Sequence, residues 1–179
     1  CQTGNVLDNP AYLLAAISWR ADTRHDKSML VTMPYADALF GISDWFRQLW
    51  AESLGKKLSI DNEVVYAGQT PIKALGAIDQ HSQTQLYTEG PNDKLIQLIA
   101  VESYRDQVAI ASPPQSAPEL GYFEGGELGQ LLDRERLATA WALTQAERPN
   151  LTITVPTIDA GIVGEFFYMM QLQTVMAGA

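Results

Sequence analysis

Two residue types that build many functional sites are nearly missing here: there is one cysteine, Cys1, and there are two histidines, His25 and His81. A single cysteine excludes a disulfide within the chain, and with two scattered histidines it makes no zinc-ligand set. Cysteine poverty of this kind fits a reducing, cytoplasmic setting. Basic residues are scarce as well, 12 against 21 acidic ones, giving a formal net charge of −9. Nucleic acids and anionic membranes both call for basic patches, so neither is an expected partner. One small anion stays open, because a few local donors can hold a phosphate. The longest apolar stretch, near 161–179, is interrupted by Glu165, Gln171 and Gln173, so it reads as a buried helix and not as a membrane span. There is no GxxxxGK[ST] loop, no GxGxxG and no Gly-x-Ser-x-Gly elbow. The glycines of "GYFEGGELG" at 121–129 lie among acids that would repel phosphate. No charged segment leads into an apolar one at the start, so no signal peptide is expected there. The first residue is not methionine, and the sequence reads as a piece of a longer protein.

What is present suits one domain with a proper core: 179 residues, 46% of them apolar. "NPAYLLAAISWRADT" at 9–23 predicts a helix with Asn9 as N-cap and Pro10 in the first position. "MLVTMP" at 29–34 predicts a buried strand, 36–54 a long amphipathic helix, and "EVVYAG" at 63–68 a weak strand. "GQTP" at 68–71 reads as a turn, and 79–88 as a helix capped by Asp79. "DKLIQLIAVE" at 93–102 predicts a strand, followed by a loop over 103–122 rich in proline and serine. The helical pattern of 126–147 offers Leu128, Leu131, Leu132, Leu137 and Trp141 for one face. "LTITVP" at 151–156 reads as a strand and 159–177 as the last helix. Strands alternating with helices imply an α/β fold around a mostly parallel sheet.

Two stretches carry candidate chemistry. In "LWAESLGKK" at 49–57, Gly55 reads as the helix stop, which puts Glu52 at the negative end of the helix dipole. At about 100° per residue, Leu39, Ile42, Trp45, Phe46 and Leu49 share a stripe, with Glu52 on its flank and Gln48 one turn earlier. If that flank is covered, burial and the dipole together disfavour the charge, and Glu52 becomes a better proton acceptor. The plainer reading is a solvated helix edge. In "GAIDQHSQTQLY" at 76–87, His81 sits near the start of a short polar helix, where a neutral imidazole can accept or donate a proton. The plainer reading is a structural histidine bonded to backbone. His25, among charges in "DTRHDK", reads as solvated surface.

Taken together, "LWAESLGKK" and "GQTPIKALGAIDQHSQTQLYTEGPNDK" resemble glucose-6-phosphate isomerases of the bacterial type. The resemblance extends to "NPAYLLAA" at 9–16, "MLVTMPYADALFGISDWFRQLWAESLGK" at 29–56 and "RPNLTITVP" at 148–156. It implies a three-layer αβα sandwich of the sugar-isomerase (SIS) type, with 1–179 as the second such domain of a two-domain enzyme. The implied reaction interconverts glucose 6-phosphate and fructose 6-phosphate through a cis-enediol, without metal or organic cofactor. The resemblance makes Glu52 the base, His81 the ring-opening residue, and Gln48 a residue close to substrate. It also implies a cytoplasmic homodimer in which the histidine reaches the neighbouring subunit's site. The family's phosphate-binding Ser/Thr loop, its Gly-Gly-Arg stretch and its terminal lysine have no counterpart here, so the piece alone is expected to be inactive. Ile78 stands where the bacterial type carries threonine. Two alternatives remain at this point: a non-catalytic sugar-phosphate sensor domain, and an isomerase acting on mannose as well as glucose phosphates.

Overall fold

The computed structural model describes residues 3–179, so Cys1, on which the disulfide and zinc expectations turn, lies outside the described residues. At the centre is a four-stranded parallel sheet. Strand β1 (Met29–Pro34) lies between β4 (Thr70–Lys73) and β5 (Lys94–Val101), and β6 (Asn150–Val155) forms the far edge. A strand buried on both faces reads as a continuous apolar run, and β5 is buried along all of its length. Two helical layers cover it. Helices α1 (Pro10–His25), α2 (Phe40–Leu54) and α6 (Ala160–Ala177) pack on Leu30, Leu95, Ile99 and Val101 of one face. On the other face, α4 (Thr84–Glu89) and α5 (Leu128–Gln145) send Tyr87 and Leu143 onto Val31, Met33, Ile96 and Leu98. The expected α/β class with a mostly parallel sheet is the one observed.

The capping signals act as expected. Asn9, fully buried, accepts from the backbone N–H of Ala11 at 3.1 Å and of Tyr12 at 3.4 Å, with Pro10 at the first helical position. Asp159 caps α6 by accepting from Ile162 N at 2.9 Å. No helix among the described residues is long and apolar enough to cross a membrane.

Five expectations need correction. The fourth place in the sheet is not taken by 63–68. Val64–Ala67 (β3) pairs antiparallel with Lys56–Leu58 (β2) in a separate exposed hairpin. The edge strand is instead Thr70–Lys73, which includes half of the expected turn. Pro71 is tolerated because an edge strand leaves one side of its ladder open. Residues 79–88 form two short helices, α3 (Ile78–Ser82) and α4, joined at Gln83. Ala77, not Asp79, occupies the N-cap of α3. Finally, the face expected for α5 is largely outside. Leu137 is 42% and Trp141 67% exposed, while Thr139 and Leu143 point inward.

In α2 the buried stripe is Ile42, Ser43, Phe46 and Trp50, preceded by Leu39 in the 3-10 turn Asp37–Leu39. Phe46 is fully buried and its ring centroid lies 5.3 Å from that of Trp50. Phe46→Ala is expected to cost about 3–5 kcal/mol through lost transfer energy and a residual cavity. Equilibrium urea unfolding measures this, and a loss below about 1 kcal/mol would remove Phe46 from the core.

Candidate active site

Helix α2 ends where the sequence says, but not in the usual manner of a glycine stop. Gly55 has φ −67° and ψ 99°, an extended conformation, and its N–H donates to Ala51 O at 3.0 Å. Glycine is needed there for space, since a Cβ would lie 2.9 Å from Ala51 O. Gly68 closes the same corner. Its φ of +127° favours glycine, and a Cβ on it would meet Leu54 O at 2.9 Å. The β2–β3 hairpin is thereby drawn tightly against the end of α2.

Glu52 lies in the last turn of α2 with its side chain exposed. Gln48 Nε2 donates to Glu52 Oε1 at 3.2 Å, and Lys56 Nζ donates to the Glu52 carbonyl at 3.2 Å. The expected pairing of Gln48 with Glu52 is present, but the expected cover is not. The reason is Trp50. With Trp50 buried, the inward stripe centres near Phe46, and Glu52 falls about 120° away, on the solvent side. Ser53 and Leu54 beside it line a groove of about 560 Å³ together with Trp50, Lys56, Leu58 and Gln69.

His81 is exposed in the last turn of the five-residue α3, not at the start of a helix. Its turn is braced by Asp79, whose Oδ2 accepts from Leu75 N at 2.7 Å and whose Oδ1 accepts from Ser82 Oγ at 2.5 Å. Burial acts to raise the Asp79 pKa, but the bonds from Ser82, Leu75 and Gln83 together hold it below the usual carboxylate value. Gln80, next to His81, donates from Nε2 to the Tyr35 hydroxyl at 2.9 Å. Tyr35 and Gln80 were not singled out from the sequence; the only signal was that both fall in stretches that carry the resemblance, Tyr35 in 29–56 and Gln80 in 68–94. His25 is exposed at the end of α1, as expected.

The topology separates Glu52 from His81 within one chain. Asp44, in the second turn of α2, binds Lys73 at the carboxyl end of β4 with 2.8 Å between Oδ1 and Nζ. From Asp44 to Glu52 the helix rises about 12 Å at about 1.5 Å per residue, back toward the amino ends of the strands. Leu54 there meets Gly68, just before β4 begins. His81 follows the opposite end of β4, beyond Ala74 and Gly76, whose N–H groups bond Thr32 O and Pro34 O. Gln48 and Glu52 thus lie together, and His81 lies at the other edge of the sheet. A second crevice, of about 430 Å³, opens at the carboxyl ends of β5 and β6 between Ser103, Tyr104, Gln130 and Arg136. That edge is where ligands commonly bind in open parallel sheets, yet none of the three expected residues lines this crevice. Among the described residues, no three His, Cys, Asp or Glu side chains cluster as a metal site would need.

These features define a three-layer α/β domain whose polar candidates sit at helix ends on opposite edges of a parallel sheet. Over nearly its whole length the chain is similar to curated glucose-6-phosphate isomerases. It is 45% identical to that of Carboxydothermus hydrogenoformans over 99% of this chain. It is 41% identical to that of Rubrobacter xylanophilus over 96% of this chain. The chain spans 38% of the length of each of these relatives. Among solved structures, a hypothetical protein of Thermus thermophilus matches with a TM-score of 0.85 and 33% identity, over 94% of this chain and 39% of that one. A glucose-6-phosphate isomerase of Chlamydia trachomatis matches with a TM-score of 0.82 at 16% identity, over 95% of this chain and 34% of that one, which is a likeness of fold. No model of a protein family matches the sequence. By sequence the chain is thus similar, over nearly all of its own length, to one stretch of glucose-6-phosphate isomerases.

Asp79→Ala is expected to destabilise the protein by about 1 kcal/mol at neutral pH, an amount reduced for the partial exposure of the group. A carboxyl with a lowered folded pKa stabilises above its unfolded value, near pH 4, and that contribution disappears as pH falls through the folded value. The gap between wild type and variant in urea unfolding should therefore shrink below about pH 4. A gap that stays constant from neutral to acid pH would contradict the brace assigned to the Asp79 carboxylate.

Proposed function

We propose that the protein to which this sequence belongs interconverts glucose 6-phosphate and fructose 6-phosphate, with residues 1–179 as its second sugar-isomerase domain. The observation that carries the reading is the 45% identity, over 99% of the chain, to the Carboxydothermus relative named glucose-6-phosphate isomerase. It is supported by the Gln48–Glu52 pair, presented on the open end of α2. The reading sets the protein in cytoplasmic sugar metabolism, in glycolysis and gluconeogenesis.

The chemistry asked of these residues is proton transfer alone, so no metal or organic cofactor is invoked. The Glu52 carboxylate removes the proton from C2 of the opened aldose. The C2–H electron pair forms the C1–C2 double bond of a cis-enediol, and the carbonyl oxygen at C1 takes up a proton. Glu52 then returns its proton to C1, as the C2 hydroxyl becomes the ketone. One carboxylate can serve both carbons because they are adjacent. Gln48 holds Glu52 Oε1 through its amide and leaves the other oxygen for the substrate. Exclusion of water from this open flank falls to parts of the protein beyond these residues, as do the phosphate site and the stabilisation of the enediolate.

Ring opening needs a second proton carrier, and His81 has that role in this reading. Since His81 and Glu52 occupy opposite edges of one sheet, the histidine that serves a given Glu52 comes from a second copy. The homodimer then carries shared sites.

In the full-length protein, Glu52→Gln should lower kcat by about 10²–10⁴-fold while calorimetric binding of glucose 6-phosphate changes little. Turnover near the wild-type rate in that variant would rule out Glu52 as the base. Sharing of the site has its own test. Glu52→Gln and His81→Ala homodimers, each impaired, are unfolded together and refolded as a mixture. The mixed dimer contains one site with neither substitution, so activity should reappear. If the mixture is no more active than its parents, both residues serve from the same copy.

A further inference from the structure

We propose that the Tyr35 hydroxyl is a positioning group for His81, fixing α3 in the attitude from which the imidazole reaches its substrate. This rests on the isomerase reading above. Helix α3 has five residues and buries none of them, and Ile78 at its start is 66% exposed. A helix so short does not hold itself together in water, and this one has no apolar side chain in the core to anchor it. It is held by polar contacts instead. Asp79 ties its beginning to Leu75 N and to Ser82. That brace is local, since all three groups belong to the same turn. The links to the rest of the protein run through Gln80, whose Nε2 donates to the Tyr35 hydroxyl at 2.9 Å and also lies 3.5 Å from Glu135 O. The shorter of these ends on Tyr35.

Tyr35 is suited to act as a fixed post. It follows β1, is fully buried, and its N–H donates to Ile99 O of β5 at 2.9 Å. Its carbonyl accepts from the Tyr104 hydroxyl at 2.7 Å. Its ring fills the space beneath Gly76, where a Cβ would come within 2.5 Å of Cζ. Burial, the largest influence on it, pushes the phenol pKa up, so the group stays neutral and can accept from Gln80. The post is thus rooted in the central pair of strands, and the residue it grips is the one before His81.

The test uses the full-length protein. Tyr35→Phe removes the hydroxyl and keeps the ring under Gly76. It should lower kcat for glucose 6-phosphate by about 10- to 100-fold, the cost of a displaced catalytic group, with KM within about twofold. Gln80→Met breaks the same bond from its other partner and should give the same loss, even if Tyr35→Phe folds poorly. In a His81→Ala background, neither substitution should lower kcat further, because each acts only through the imidazole. Wild-type kcat in both single variants would overturn the inference. So would a loss that multiplies undiminished onto His81→Ala, since that is what a general structural role gives. If the wild-type protein does not isomerise the sugar at all, the isomerase reading fails and takes the inference with it; the two failures are told apart by that one control.

Discussion

The parallel pairing of β1 with β5 is the constraint from which the rest follows. Both strands are buried on both faces, so helices must cover the sheet on each side. Parallel strands also require every connection to return from the carboxyl edge to the amino edge. Helix α2 makes one such return between β1 and β4, so whatever its last turn carries is delivered to the amino edge. The segment after β4 begins at the carboxyl edge, so α3 and His81 stay there. The separation of Glu52 from His81 is therefore a product of crossover topology.

Packing decides how each residue is presented on that frame. Trp50 and Phe46 draw α2 inward along a stripe that leaves Gln48 and Glu52 facing out. The two glycines at the corner, Gly55 and Gly68, serve close approach between the end of α2 and the returning hairpin. Their exclusion of side chains lets the chain turn three residues after the glutamate. At the other edge, α3 has no apolar anchor, and polar bonds from Asp79 and Gln80 take its place. One candidate thus sits on a helix rooted in the core, the other on a turn held by hydrogen bonds, one of them to a buried tyrosine.

Much of the frame was legible from local pattern. Asn9-Pro10 marked a helix start, and the apolar runs at 29–34 and 93–102 marked the two central strands. Local signals failed where a neighbour overrides them. "GQTP" carries turn chemistry, yet Thr70–Lys73 joins the sheet because β1 offers a free edge and an edge position tolerates Pro71. "EVVYAG" has strand propensity and forms a strand, but it pairs with Lys56–Leu58 and leaves the sheet. Leu137 and Trp141 had the spacing of a buried face; α5 turns Thr139 and Leu143 inward instead, and Leu143 joins the second core. Asp79 carried the signature of a cap, and braces the turn ahead of its helix.

The sequence by itself determined which residues are available: a glutamate one helical turn after a glutamine, ahead of a glycine stop, and a histidine in an Asp-Gln-His turn. It also determined the α/β class, because hydrophobic period and capping are local properties of a chain. Only the tertiary structure decided that Gln48 and Glu52 share an open flank while His81 stands at the opposite edge. It alone decided that the Tyr35 hydroxyl meets Gln80, the residue before the histidine. Those are relations between segments far apart in sequence, set by strand order and by which face of each helix finds the core, and no local pattern encodes them.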